Sequence, residues 1–199
     1  FFMWYLIENY TTSEEVRSIV DNTELYFIPC VNPDGYLYNE QTNPNGGGFW
    51  RKNRRGGYGV DLNRNYNYVE PNGNPIWNTS GVSQQESGET YPGTSAFSEP
   101  ETRAIRYFVE SHNFTIALNN HTSGGLLLYP FGYARERYTP DNGYYEQLSE
   151  AMVRANGYDN ILSSSLYPAS GDSDDFMYGF LETVDGGTRE KVLAMTPEI

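Results

Sequence analysis

Residues 116–133, IALNNHTSGGLLLYPFGY, constrain the fold of this chain more than any other stretch. Ile116, Ala117 and Leu118 run apolar into His121, a Gly-Gly pair follows, and Leu126, Leu127 and Leu128 begin a second apolar run that ends at Pro130 and Gly132. Short apolar runs bounded by turn residues predict two buried strands joined by a tight connection, with one imidazole at the tip of the first. Such a strand end is rigid, partly open and flanked by loops, which is where a sheet enzyme places a ligand or a base. A lone histidine capping a strand is more often an ordinary satisfied polar residue. What His121 does therefore depends on what the rest of the chain brings to it.

Around that stretch, helical and extended patterns alternate. Residues 1–10 have the pattern of the end of a buried helix, apolar on nearly all sides until Glu8 and Asn9. Thr12-Ser13-Glu14-Glu15 offers a capping box, with Val16, Ile19 and Val20 at helical spacing behind it. Residues 24–31, ELYFIPCV, have the composition of a strand, and Asn32-Pro33-Asp34-Gly35 ends it with turn residues. Cys30, the single cysteine, lies inside that apolar run and is expected to be a buried structural thiol.

Periodicity then disappears over residues 36–93, where Gly, Asn and Pro dominate; a loop region of that length inside a domain is more often functional than idle. It contains FWRKNRR at 49–55 and VDLNRN at 60–65, and a short basic run of the first kind is ordinarily a solvated surface. Order returns at Ser98-Glu99-Pro100-Glu101, a second capping box, followed by Ala104, Ile105, Phe108 and Val109 at helical spacing. Tyr144, Leu148, Ala151, Met152 and Ala155 predict a further helix stopped by Asn156-Gly157. A loop over 163–175 and a last strand over 191–199, carrying Glu198, complete the chain. Helices alternating with apolar strands indicate an α/β domain, without internal repeat or linker.

Composition excludes several functions. Thirteen Lys plus Arg against 26 Asp plus Glu give a net charge of −13, which repels nucleic-acid phosphates and anionic membrane surfaces. No transmembrane span is visible, and the apolar opening is too short for one and lacks the basic flank of a signal peptide. Four Asn-x-Ser/Thr triplets begin at Asn9, Asn78, Asn113 and Asn120, as chance produces in an Asn-rich chain. There is no Gly-x-Ser-x-Gly elbow, phosphate loop or Cys-x-x-Cys pair, so serine-nucleophile, nucleotide and structural-zinc chemistries lose support. A strand-end His, a strand-end carboxylate and arginines on glycine-rich loops leave metal-assisted hydrolysis, which needs a base, a cation for the oxyanion and a neutral imidazole ligand.

Seven blocks now carry a resemblance: DNTELYFIPCVNPDGY, FWRKNRR, GVDLNRNY, ETYPGTSAFSEPET, NNHTSGGLLLYPFGY, SLYPASGDSDD and the terminal TPEI. In this order and at roughly this spacing they resemble the zinc carboxypeptidases of the carboxypeptidase A and B type, over nearly every residue from Asp21 to Glu198. The resemblance implies an α/β fold with a mixed, mostly buried sheet flanked by helices, and a zinc-dependent enzyme that releases C-terminal residues from peptides and proteins. His121 matches the third zinc ligand. Glu198 matches the catalytic glutamate, a general base toward water and then a proton donor to the leaving amine. Arg51 matches the arginine that polarises the scissile carbonyl, a role suited to a cation that cannot lose its proton. Asn63 and Arg64 match the pair that grips the terminal carboxylate, and Tyr167 matches the mobile tyrosine that closes over the substrate.

Asp174 matches the position at the base of the side-chain pocket, where an acid goes with C-terminal Lys or Arg, and Asp172 and Asp175 add negative charge nearby. Leu128, Gly132 and Leu162 match pocket-lining positions that would also suit an apolar side chain, so the expected preference is basic or mixed. The departures are equally specific. The family's other two zinc ligands come from a His-x-x-Glu motif, which this chain lacks; His112, at the end of a predicted surface helix and expected to face solvent, is no substitute. The expectation is therefore a single partial peptidase domain over residues 1–199, truncated at both ends, with two zinc ligands upstream of residue 1. Alone it is expected to be poorly stable and inactive. Alternatives are a relative with the same zinc chemistry but a different pocket, trimming peptidoglycan peptides or acidic side chains, and a non-catalytic peptide-binding relic. Secretion or a periplasmic location is implied by the family only.

Overall fold

A computed structural model of the chain describes residues 1–179, 181, 183 and 186–199. They form two compact units, Phe1–Val31 and Asn32–Ile199. The first consists of helices α1 (Phe2–Asn9) and α2 (Glu14–Asn22), the second started by Ser13, whose side chain accepts the Val16 amide. Thr12 is thus not the cap. Helix α1 forms as its composition predicts but is not a buried one: Leu6 is its buried residue, and Trp4 and Ile7 are each more than half exposed.

Residues 24–31 are not a strand. A strand exists by virtue of a ladder partner, and the first unit contains only helices besides this segment. Its apolar residues stand half exposed, Phe27 and Ile28 among them, and Cys30 is exposed rather than buried.

In the second unit, Asn32-Pro33-Asp34-Gly35 opens a helix instead of ending a strand: α3 (Pro33–Thr42) has Asn32 as its cap, accepting the Gly35 amide at 3.0 Å, and Pro33 in its first turn. The expected loop also contains a 3₁₀ turn at Leu62–Arg64 and a small hairpin of β1 (Tyr68–Val69) and β2 (Pro75–Ile76). Helix α4 (Pro100–Glu110) follows, with Glu99 at its cap position; Ser98 donates to the Glu99 carboxylate, and no side chain caps the helix.

The central sheet is mixed, with order β3-β6-β4-β5 for β3 (Ile116–Leu118), β4 (Leu126–Tyr129), β5 (Asp159–Leu162) and β6 (Leu193–Glu198). β6 lies parallel to β3 and antiparallel to β4, and β5 is parallel to β4. The two strands of the 116–133 stretch are therefore not partners; the last strand of the chain inserts between them. β3 becomes an edge, with Ile116 and Leu118 nearly half exposed, whereas Ala194 and Met195 at the centre are fully buried.

Two cores cover the two faces. Leu127, Tyr129 and Met195 pack with Tyr145 and Val153 of α5 (Asn142–Val153). Ala194 packs with Ile105 and Val109 of α4 and with Phe176 and Met177 of α7 (Ser173–Gly179). Alternation along β6 thus sends Thr196 and Glu198 to the α4–α7 face. The expected loop over 163–175 holds a short helix, α6 (Ser163–Leu166), and the first residues of α7. The buried face of α5 is Tyr145, Ser149 and Val153, one residue on from the stripe expected at 144, 148 and 152.

Candidate active site

His121 and Glu198 meet because β3 and β6 run parallel and end together. Beyond β3 the two residues form an isolated parallel bridge: the His121 amide donates to Pro197 O and the Ile199 amide to His121 O, both at 2.9 Å. A bridge of this kind fixes both side chains at the C-terminal edge of the strands. Burial holds the His121 imidazole below its ordinary range, with Arg51 and Arg64 acting in the same sense and Glu198 opposing. A neutral imidazole is the form that can ligate a metal.

Arg51 arrives on the glycine-rich loop, which is not a solvated surface. Helix α3 clamps it: Asn39 donates to Trp50 O at 2.7 Å and accepts the Trp50 amide at 3.0 Å, while Asn32 donates to Lys52 O at 3.0 Å. Each neighbouring cation is occupied. Lys52 is buried and donates to the carbonyls of Glu86 and Gly88, Arg54 lies 3.8 Å from the Tyr38 ring centroid, and Arg55 pairs with Glu99 at 2.6 Å. Arg51 itself pairs with Asp61 at 3.1 Å and remains 42% exposed at its side chain, so it is held yet accessible.

Asp61 also starts the 3₁₀ turn by accepting the Asn63 amide at 3.1 Å. Arg64 follows, buried, its Nε donating to Gly81 O at 3.0 Å and Nη1 to Asn63 O at 2.7 Å, with its guanidinium carbon 5.9 Å from the Tyr167 ring centroid. Gly171 lets the next loop approach. Its φ is +83°, and a Cβ there would stand 2.3 Å from Arg64 O, so only glycine fits.

Asp174, on α7, accepts Asn119 Nδ2 at 2.6 Å and Thr196 Oγ1 at 2.8 Å. Burial raises its carboxyl to about 7, and neighbouring Asp172 adds to the rise against those two donors. Asp175 turns to the β4 side, where it accepts the amides of Gly132 and Tyr133, and burial and Asp172 likewise raise its carboxyl.

Nine of the ten residues expected at the site line one cavity: Arg51, Asn63 and Arg64 from the loops, His121 and Glu198 at the strand ends, and Leu128, Gly132, Tyr167 and Asp174. Leu162 is the exception. It is 5% exposed and belongs to the core beneath, packed with Leu127, Tyr129 and Tyr145; the final residue of β5 points into the other face of the sheet. Thr196 and Asp172 also line the cavity, and Asn119 supports it from behind. Thr196 stands two residues before Glu198 and Asn119 two before His121, so the strand period places each on the same side as the residue singled out. His112 lies elsewhere, its Nδ1 2.8 Å from Phe108 O and its ring stacked on Phe114; it is half-buried rather than solvent-facing.

The fit to a metal is partial. His121 can serve as one ligand, but no group of three His, Cys, Asp or Glu able to hold a metal occurs among the described residues. Catalytic zinc takes three protein ligands. The described residues therefore do not make a zinc site by themselves.

A family model described as zinc carboxypeptidase matches residues 1–187. Zinc carboxypeptidase A 1 of Anopheles gambiae is 34% identical over 191 residues, which cover 88% of this chain and 41% of that protein. Carboxypeptidase O of Bos taurus is 32% identical over 98% of this chain and 56% of its own length. Among solved structures, that of thrombin activatable fibrinolysis inhibitor superimposes with a TM-score of 0.76 at 26% identity, covering 98% of this chain and 47% of that one. The chain spans about half the length of the curated relatives it matches.

Proposed function

This chain belongs to the zinc carboxypeptidase family, whose cofactor is zinc, and from that membership we propose that the whole protein removes C-terminal residues from peptides and proteins, with basic or mixed preference at the terminal side chain. The observation that carries the reading is the convergence of Arg51, Arg64, His121, Glu198 and Asp174 on one cavity. Asn63 and Arg64 hold the terminal carboxylate, and a forked cation that reads both oxygens accounts for cleavage at a chain end alone. Arg51 polarises the scissile carbonyl and takes the charge that develops on its oxygen. Glu198 accepts a proton from the attacking water and returns it to the leaving amine. Tyr167, half exposed beside Arg64, covers the bound chain end. Zinc would supply Lewis acidity, with His121 as one ligand and the others from outside these residues.

No helix among the described residues is long and apolar enough to cross a membrane; secretion or a periplasmic location belongs to the proposal on family grounds. The test is steady-state cleavage by the whole protein of matched peptides ending in Arg, Lys, Phe or Asp, each compared with its C-terminal amide. Acids ending in Arg or Lys should be cut and all amides spared. Substituting Glu198→Gln should lower kcat by 10²–10⁴-fold, a typical general-base contribution. Cleavage of Asp-ended peptides alone would favour the acidic-side-chain reading, and no cleavage of any acid would leave a peptide-binding relic.

A further inference from the structure

The resemblance matches one acid, Asp174, to the pocket base. A second carboxylate, Asp172, lines the same cavity. Its position has a local structural reason: Asp172 caps α7, Oδ1 accepting the Asp175 amide at 2.8 Å. The Asp174 amide and the Asp175 side chain also meet this carboxyl. Oδ2 lies over the Gly132 backbone, 2.3 Å from where a Cβ on residue 132 would stand. Any side chain at 132 would collide with it. Gly132 is therefore the residue that admits the carboxylate to the cavity wall.

The three neighbouring acids have different orientations. Asp175 turns away, both oxygens accepting the Gly132 amide and one the Tyr133 amide. Asp174 has one side-chain donor on each oxygen, Asn119 and Thr196, which leaves each oxygen capacity for one more. Asp172 and Asp174 both line the cavity, as do the cations Arg51 and Arg64, and Arg64 acts on the Asp172 carboxyl as well. Arg64 donates from Nε and Nη1 to the Gly81 and Asn63 carbonyls and Arg51 pairs with Asp61, and in the carboxypeptidase reading their remaining donors go to the terminal carboxylate and the scissile carbonyl. Two desolvated like charges favour a ligand that neutralises both.

We propose that Asp172 is a second specificity-determining residue, acting with Asp174 so that the cavity takes a terminal guanidinium ahead of an ammonium and both far ahead of an apolar side chain. This rests on the carboxypeptidase reading of the same site. A guanidinium presents five donors in a planar fork and can address two carboxylates at once, whereas an ammonium is a point charge. Leu128, which lines the same cavity, suits the alkyl stem that both side chains share.

The alternative is that Asp172 is only a helix cap, and the choice of substitution separates the two. Asp172→Asn keeps a capping acceptor and removes the charge; Asp172→Ser keeps a cap and withdraws the second oxygen. Binding of N-acetyl-arginine, N-acetyl-lysine and N-acetyl-phenylalanine to the whole protein, measured by calorimetry, needs no turnover. Arginine should bind at least tenfold tighter than phenylalanine, and each variant should narrow that ratio about tenfold, with lysine affected less. An unchanged ratio in a variant that melts like the parent, an equal loss for all three ligands, or a parent without arginine preference would overturn the proposal. N-acetyl-arginine amide tests the underlying reading separately. If acid and amide bind alike while the preference for arginine still depends on Asp172, the carboxypeptidase reading fails and this inference stands.

Discussion

At the level of single residues, the quoted blocks brought nearly the whole cavity wall into view, because each pairs a distinctive residue type with a strand end or a glycine-rich loop. Leu162 was misplaced, since only the register of β5 decides which face its last residue takes. Asp175 is legible only as a charge near the pocket, for the amides it holds lie more than forty positions earlier in the chain. Asp174 yields a prediction about stability. Its carboxyl titrates near 7 in the folded chain, against about 3.9 unfolded. Below pH ~4 both states are protonated. Between about 4 and 7 the unfolded chain ionises first, so stability falls as pH rises through that window and is fully lost above it. Asp174→Asn should thus be close to neutral at pH 4 and stabilising at pH 8, by up to about 4 kcal/mol at 1.36 kcal/mol per unit. Denaturant midpoints at the two pH values check this; equal effects at both would show that burial does not tax the charge.

Among the elements, helix α5 shows how a correct helix can be assigned the wrong face. Tyr144 and Tyr145 are adjacent aromatics, and the buried stripe passes through Ser149, which keeps its place by accepting Asn160 Nδ2 at 2.9 Å. A polar residue on the core face breaks the hydrophobic period, so the apolar pattern points one residue, or about 100° of rotation, away. Helix α3 was missed for a related reason: it has one buried residue, Gly35, and no apolar stripe, while Asn-Pro-Asp-Gly suits a turn as well as a cap with Pro in the first turn. Tyr145 is 1% exposed and stacks on Tyr129 at 5.7 Å, whereas Tyr144 is 68% exposed. Tyr145→Ala should cost about 3–5 kcal/mol, as for other large buried aromatics, and Tyr144→Ala should stay within about 0.5 kcal/mol. Paired urea titrations decide it, and comparable costs would place the core on the other face.

For the whole molecule, alternation of patterns was enough for an α/β class, but strand order was not readable, because β6 enters between β3 and β4 through contacts some seventy residues apart in the chain. Local pattern likewise could not tell that residues 24–31 lack a ladder partner among the described residues. The same long-range dependence governs the metal. The chain has two histidines, and His112 is turned to Phe108 O and stacked on Phe114, leaving His121 beside Glu198 as the imidazole of the cavity. No three His, Cys, Asp or Glu among the described residues are grouped to hold a metal, although catalytic zinc takes three protein ligands, and Glu198 is the proposed base. The 199 residues by themselves should accordingly retain well under one zinc per chain after dialysis, while the whole protein should retain one and lose it on His121→Ala. Metal analysis of both decides the point. One tightly held zinc on the 199 residues would mean that Glu198 ligates the metal instead of serving as base, and the assignment of roles in the cavity would have to be redrawn.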